Sequence, residues 1–151
     1  SLSGAGTPNA ANTTLSIGGK MEITSGRLDF NTGTSTVGNM LVNLSGDLTV
    51  SGTGTIARTA NLTNRGIFRF NKSTGTQTIS ALSTSLPGNI DYEVGNGTTA
   101  PVATLASDFI INNASRLTVR TAGTLDCPGA FAVDGSTTTN GAFTLQSGAT
   151  L

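Results

Sequence analysis

Histidine and tryptophan are absent from this chain of 151 residues, and cysteine occurs once, at Cys127. Without histidine the chain cannot form a serine–histidine–aspartate triad, a histidine-ligated zinc site or the usual histidine acid–base pair. A single cysteine forms neither an internal disulfide nor a Cys-X-X-Cys motif. These absences exclude many common catalytic centres, and we expect no metal and no cofactor.

Charge is also scarce. Charged residues make up 11% of the chain, and eight Lys and Arg balance eight Asp and Glu. Nucleic-acid recognition needs clustered positive charge, so a nucleic-acid partner is not expected, and the same balance excludes a polybasic membrane anchor. Apolar runs are far shorter than the roughly 20 residues of a membrane-spanning helix, so membrane insertion is not expected either.

Small and short polar residues dominate the composition, with 27 Thr, 20 Gly, 15 Ser and 13 Asn. Disorder is typical of low hydrophobicity with high net charge, whereas this chain has zero net charge and 36% hydrophobic residues. Apolar residues also recur two positions apart, which places them on one face of a β-strand. Examples are Leu48/Val50, Phe68/Phe70, Ile90/Tyr92/Val94 and Leu117/Val119. Glycine-rich turns separate these pairs, so the chain is predicted to be all-β.

An internal repeat narrows the fold class further. One pattern of alternating apolar residues followed by glycine occurs at positions 19–28, 46–56, 115–125 and 141–151. The interval between the starts of the first two copies is nearly the same as that between the starts of the last two. The long gap between the second and third copies has room for two or three diverged copies. A repeat of this length with two or three short strands is typical of one coil of a parallel β-helix (β-solenoid), so we predict about six coils. A β-sandwich of longer antiparallel strands is the alternative.

The whole chain, residues 1–151, is expected to be a single β-solenoid segment, taken from a longer repeat protein. Both its first and its last residues resemble the middle of a repeat. Bare ends of a solenoid expose strand edges. We therefore expect the partners to be adjacent solenoid repeats or identical subunits stacked end to end, with surface glycans as a further partner.

Three segments resemble repeats of very large secreted proteins of Bacteroidota, many of them adhesins or surface filament proteins. The segments are Gly46-Asp-Leu-Thr-Val-Ser-Gly52, Ser73-Thr-Gly-Thr-Gln-Thr-Ile79 and Gly141-Ala-Phe-Thr-Leu-Gln-Ser-Gly-Ala-Thr-Leu151. The resemblance covers most of the chain from about Thr13. It implies a parallel β-helix, export by the type IX secretion system and a location outside the cell or on its surface. It implies no catalytic residues.

Asp91 and Glu93 form the sharpest carboxylate pair of the sequence. Alternation places Tyr92 inward and both carboxylates outward, roughly 7 Å apart. Such a pair suits a two-carboxylate glycosidase or part of a calcium site. The alternative is a solvated pair that faces arginines of neighbouring coils, for which Arg69, Arg116 and Arg120 are the candidates.

A second candidate is a flat row of threonines. The Thr-Gly-Thr motif occurs three times at equal intervals, as Thr32/Thr34, Thr53/Thr55 and Thr74/Thr76. If one coil separated the copies, their hydroxyls would form a ranked array of the kind that ice-binding solenoids use. The alternative is that these are turn glycines flanked by threonine, because their interval is shorter than the interval between copies of the apolar pattern.

The function expected from the sequence is therefore structural: a segment of an extracellular filament, stalk or adhesin with no catalysis of its own. A carbohydrate-binding or carbohydrate-cleaving β-helix is the first alternative. An ice-binding solenoid is the second.

Overall fold

A computed structural model describes residues 13–30, 40–57, 66–81, 90–111, 115–128, 133–135 and 142–151. These residues form fifteen short strands and no helix, so no described helix is long and apolar enough to cross a membrane. The strands are β1 Thr13–Ile17, β2 Met21–Ile23, β3 Arg27–Asp29, β4 Met40–Leu44, β5 Leu48–Val50, β6 Thr55–Ala57, β7 Gly66–Phe70, β8 Thr76–Ala81, β9 Ile90–Val94, β10 Val102–Leu105, β11 Phe109–Ile111, β12 Arg116–Val119, β13 Thr124–Asp126, β14 Val133–Gly135 and β15 Ala142–Leu145.

Every strand pairing in the described residues is parallel, which confirms a β-solenoid and excludes the antiparallel sandwich. The first sheet has six strands in the order β1-β4-β7-β9-β12-β15. The second sheet has five, in the order β2-β5-β8-β10-β13. The third strands of the turns pair as β3-β6 and β11-β14. The chain therefore coils through the sheets in turn, and within each sheet the strands of successive turns hydrogen-bond to each other.

The number of coils is lower than predicted. Four turns have all three strands among the described residues, β7 and β8 form a turn with two, and β15 begins another. About four turns are therefore complete among the described residues, so the prediction of about six coils is slightly too high. The apolar pairs of the first sheet recur six times, and counting them overestimates the number of complete turns.

Two apolar columns run through the first sheet on its inner face. The first contains Leu15, Val42, Phe68, Tyr92, Leu117 and Phe143, and the second contains Ile17, Leu44, Phe70, Val94, Val119 and Leu145. Members on β4, β7, β9 and β12 are buried, as the period-two alternation predicts. No single turn could bury its inner residues alone, so each turn depends on the turns above and below it.

Aromatic rings fill the centre of the core. The rings of Phe68 and Phe70 are 5.2 Å apart, and Tyr92 meets Phe109 edge to face at 5.1 Å. Both distances lie in the range in which aromatic pairs attract each other. The largest fully buried side chains therefore lie on β7, β9 and β11, and Phe30, directly after β3, packs on Phe68 from the preceding turn.

One inward side chain is polar. Gln77 lies on the inner face of the second sheet and is completely buried. Its amide nitrogen donates hydrogen bonds to the carbonyl oxygens of Leu44 at 3.0 Å and Gly46 at 2.6 Å, and its Oε1 accepts one from the backbone N–H of Lys72 at 3.3 Å. The side chain thus supplies partners for backbone groups at a corner where the ladder stops, which makes its burial tolerable.

Gly46, at the same corner, leaves no space for a side chain. A Cβ on Gly46 would collide with the carbonyl group of Gly19 in the preceding turn. Because that obstacle is backbone, it cannot rotate away as a side chain could. A Cβ on Gly52 would likewise meet the carbonyl oxygen of Thr24, so the Ser45-Gly46 and Ser51-Gly52 turns are places where successive turns approach closely.

Candidate functional site on the outer face of the first sheet

Asp91 and Glu93 both belong to β9, at the middle of the first sheet. In register, Glu93 lies beside Arg69 of β7 on one side and Thr118 of β12 on the other. Asp91 lies beside Ile67 and Arg116 in the same way. Both carboxylates are therefore on the outer face of the sheet, as the alternation predicts.

Two arginines enclose the carboxylate of Glu93. Its Oε2 accepts a hydrogen bond from Arg69 Nε at 2.8 Å and, within an ion pair, lies 2.7 Å from Arg69 Nη2. Its Oε1 accepts a bond from Nη2 of Arg120. The fork of Arg69 and the single contact of Arg120 together engage both carboxylate oxygens.

Arg120 reaches Glu93 diagonally across the sheet. Arg120 directly follows β12, two positions after Thr118, which is the register partner of Glu93. The backbone N–H of Arg120 donates to the carbonyl oxygen of Val94 at 2.9 Å, so the ladder between β9 and β12 continues as far as Arg120. Its side chain is therefore on the same outer face as Glu93.

Glu93 is consequently only 5% exposed although it points away from the core. The expectation of a solvated carboxylate is wrong for Glu93, because Arg69 and Arg120 lie over it and exclude water. A charge removed from water needs a paired, hydrogen-bonded environment, and the two guanidinium groups supply it. The alternative that arginines of neighbouring coils face the carboxylates is correct for Arg69 and Arg120, which both pair with Glu93.

Asp91 is half-buried and also interacts with other groups. Two positions along one strand face separate it from Glu93 by roughly 7 Å, a spacing found between the carboxylates of inverting glycosidases. The chemistry nevertheless differs from such a site, because a general acid or base needs an oxygen that faces the substrate. In this structure both oxygens of Glu93 already face arginine.

The predicted threonine row does not form among the described residues. Thr32 and Thr34 lie outside them. Thr55 belongs to β6, which pairs with β3, and Thr53 lies in the turn before it. Thr76 begins β8 of the second sheet, with Thr74 in the turn before it. The described Thr-Gly-Thr motifs are thus on different strands of the coil.

Other threonines do become neighbours. Thr78 of β8 lies beside Thr104 of β10, and Thr118 of β12 lies beside Thr144 of β15, each pair on an outer face. One full turn of the coil separates the members of each pair. A third pair, Thr124 beside Thr150, forms in the same way. All three pairs have the interval of the apolar pattern rather than the shorter interval of the Thr-Gly-Thr motif. Three pairs spread over two sheets do not make a single flat array.

Metal-binding and nucleophilic side chains do not converge in the described part of the chain. No group of three or more Cys, Asp and Glu residues there could hold a metal ion. Burial, and secondarily the negative charge of Asp126, raises the pKa of the Cys127 thiol, so it is a weak nucleophile at neutral pH. Burial likewise raises the pKa of the Tyr92 hydroxyl far above its ordinary value, which fits a core residue.

Comparisons with protein-family models, with curated proteins and with solved structures found no match to this chain.

Proposed function

We propose that this chain is a structural segment of an extracellular filament, stalk or adhesin, secreted or held at a cell surface, with no catalysis of its own. The observation that carries the proposal is the continuity of the two inner columns across the six parallel strands of the first sheet. Such a stack grows by adding turns, each turn extending it by about 4.8 Å, so its natural product is a rod.

The outer-face charges support a mechanical role. Arg69 lies on β7, Glu93 lies on β9 and Arg120 directly follows β12, so their ion pairs join three successive turns along the stacking direction. They tie adjacent turns together rather than meeting around a cleft. A load applied along the rod would act on these contacts and on the parallel backbone ladder simultaneously.

Composition supports a location outside the cell. Threonine, serine and asparagine keep the surface polar with only 11% charged residues. The resemblance to repeats of secreted Bacteroidota proteins supports the same location and an export route through the type IX system. In this proposal the segment holds a binding tip away from the cell, or offers a repeated weak contact surface for glycans.

Immunogold electron microscopy of the native, full-length protein tests the proposal. Antibodies against this segment should label elongated structures outside intact, unpermeabilised cells. In parallel, the purified protein should release no reducing ends from a panel of surface and matrix polysaccharides. Label confined to the cell interior, or polysaccharide cleavage lost in Asp91→Asn but not in a Glu22→Gln control, would overturn it.

A further inference from the structure

The loop that joins β9 to β10 runs from Gly95 to Pro101 and contains the sequence Asn96-Gly97. An asparagine followed by glycine is the one most prone to lose its side-chain ammonia, because glycine has no side chain to obstruct its own backbone nitrogen. Asn96, Gly97 and Thr98 are all exposed, so water reaches them freely. Burial therefore gives Asn96 no protection from this reaction.

The reaction, deamidation, closes a ring and breaks the side-chain amide. The backbone nitrogen of Gly97 attacks Cγ of Asn96, the proton of that nitrogen passes to the side-chain nitrogen, and ammonia leaves. Water then opens the resulting five-membered imide at either of its two carbonyl carbons. The products are aspartate, which keeps the normal main chain, and isoaspartate, whose main chain runs through the former side chain. In total, water is consumed and ammonia is released.

Hydrogen bonds fix the carboxamide of Asn96 in one orientation. Its Oδ1 accepts bonds from the backbone N–H of Thr98, the hydroxyl of Thr98 and the backbone N–H of Thr99, each at 2.8 Å. Such a turn restrains both the side chain and the main chain of the asparagine. Ring closure needs rotation about the bonds on either side of the Asn96 Cα, so that Cγ meets the Gly97 nitrogen in line. That rotation would pull Oδ1 away from its donors.

The preceding turn of the coil holds the loop closed. The backbone N–H of Gly95 donates to the carbonyl oxygen of Phe70 at 2.8 Å, and the hydroxyl of Thr99 contacts Oδ1 of Asn71. Opening the turn around Asn96 therefore also disturbs a contact between two turns of the solenoid. Local openings that break several bonds at once are rarely populated.

From this geometry we infer that Asn96 is a deamidation site gated by the fold: its carboxamide reacts with Gly97 only in molecules whose turn has opened. The inference goes beyond the proposed structural role and does not rest on it. The two products have different effects on the turn. The carboxylate of the aspartate product accepts the same hydrogen bonds more strongly than the amide oxygen does. The isoaspartate product lengthens the main chain by a methylene before Gly97, which displaces the donors and keeps the turn open.

Peptide mass spectrometry of the native, full-length protein tests the inference. The folded protein and protein unfolded in guanidinium chloride are incubated equally at physiological pH and temperature. In the unfolded protein Asn96 should react about as fast as Asn140, which precedes the glycine of the other Asn-Gly pair. In the folded protein the reaction at Asn96 should be slower by at least about tenfold, because its hydrogen bonds must break first.

Two variants of the loop separate the turn from the rest of the fold. Thr98→Pro removes an N–H donor and the hydroxyl donor, so the folded variant should lose most of the protection. Ala100→Ser is the matched control in the same loop, because Ala100 donates none of the bonds to Asn96, and it should keep the protection. Each variant is compared with its own unfolded rate, and far-UV circular dichroism checks its strands. Should Thr98→Pro unfold, Thr98→Val takes its place with a smaller loss of protection.

Equal rates at Asn96 in the folded and the unfolded protein would overturn the inference, as would a folded Thr98→Pro variant that stays fully protected. Asn96→Asp copies the aspartate product and should melt at or above the temperature of the unmodified protein. A clearly lower melting temperature would contradict the assignment of Oδ1 as the acceptor that holds the turn. Methylation by protein isoaspartyl methyltransferase counts the isoaspartate product, which should accumulate only in molecules that have been opened.

Discussion

Replacing Glu93 with glutamine should destabilise the protein much more than the same change at an exposed glutamate. Glu93→Gln keeps the shape of the side chain and one acceptor oxygen. It removes the charge that faces Arg69 and Arg120, and it turns an amide group toward one of the two guanidiniums. The two arginines then lie side by side without their shared counter-ion.

The magnitude follows from burial. Breaking a fully buried ion pair costs about 3–5 kcal/mol, and an exposed pair contributes about 0–1 kcal/mol. Glu93 has a side chain only 6% exposed, but Arg69 and Arg120 are 20% and 34% exposed, so water screens part of the interaction. We therefore expect a loss of about 2 kcal/mol, which corresponds to a fall in melting temperature of about 4–8 °C for a domain of this size.

Urea unfolding followed by circular dichroism measures this loss. Glu22→Gln is the matched control, because Glu22 pairs with Lys20 and both side chains are about half exposed, at 51% and 53%. The control should shift the unfolding free energy by no more than about 0.5 kcal/mol. Equal effects of the two substitutions, or a Glu93→Gln effect that vanishes in high salt, would refute the argument that burial makes the central ion pairs structural.

Three further predictions concern the core, a corner and the thiol. Phe68→Ala should lower the free energy of unfolding in urea by about 3–5 kcal/mol, because Phe68 is fully buried. Phe143→Ala in the same column should lower it by less than about 1.5 kcal/mol, because Phe143 is 40% exposed. Equal losses would contradict the assignment of both residues to one column that is buried only at its centre. Gly46→Ala should cost about 1–3 kcal/mol and lower the melting temperature, since its Cβ meets the backbone of Gly19; an unchanged melt would argue against that close stacking. Cys127 should react with a thiol reagent more slowly than in the urea-unfolded chain, and its rate should rise at higher pH than in the unfolded chain, because its pKa is raised in the fold; identical pH–rate profiles would contradict this.

Alternation and the internal repeat together predict the fold class from the sequence. Pairs such as Phe68/Phe70 lie in strands whose inner residues are buried. Residues two apart in a strand point to the same face of the sheet, and this does not depend on which strands lie beside them. The spacing between turns was less regular. The step from Gly66 to its partner Ile90 is shorter than the step from Thr13 to its partner Met40, so a fixed repeat length could not count the turns.

Polar positions were predicted less well because their burial depends on partners in other turns. Gln77 can be buried inward because its amide nitrogen donates to the carbonyl oxygens of Leu44 and Gly46 in the preceding turn, and no pattern near Gln77 in the sequence shows this. Glu93 is outward but buried because Arg69 and Arg120 lie over it. Both facts require the register between strands, which the sequence specifies only once the turns have been aligned.

The proposed rod of stacked parallel turns can be seen by high-resolution cryo-electron microscopy of the native, full-length protein. We expect a shaft with rungs about 4.8 Å apart along its axis, into which this segment fits with its first sheet continuous with the neighbouring rungs. A compact particle, in which the outer face of β7, β9 and β12 lines a closed cleft and the stack goes no further, would contradict it.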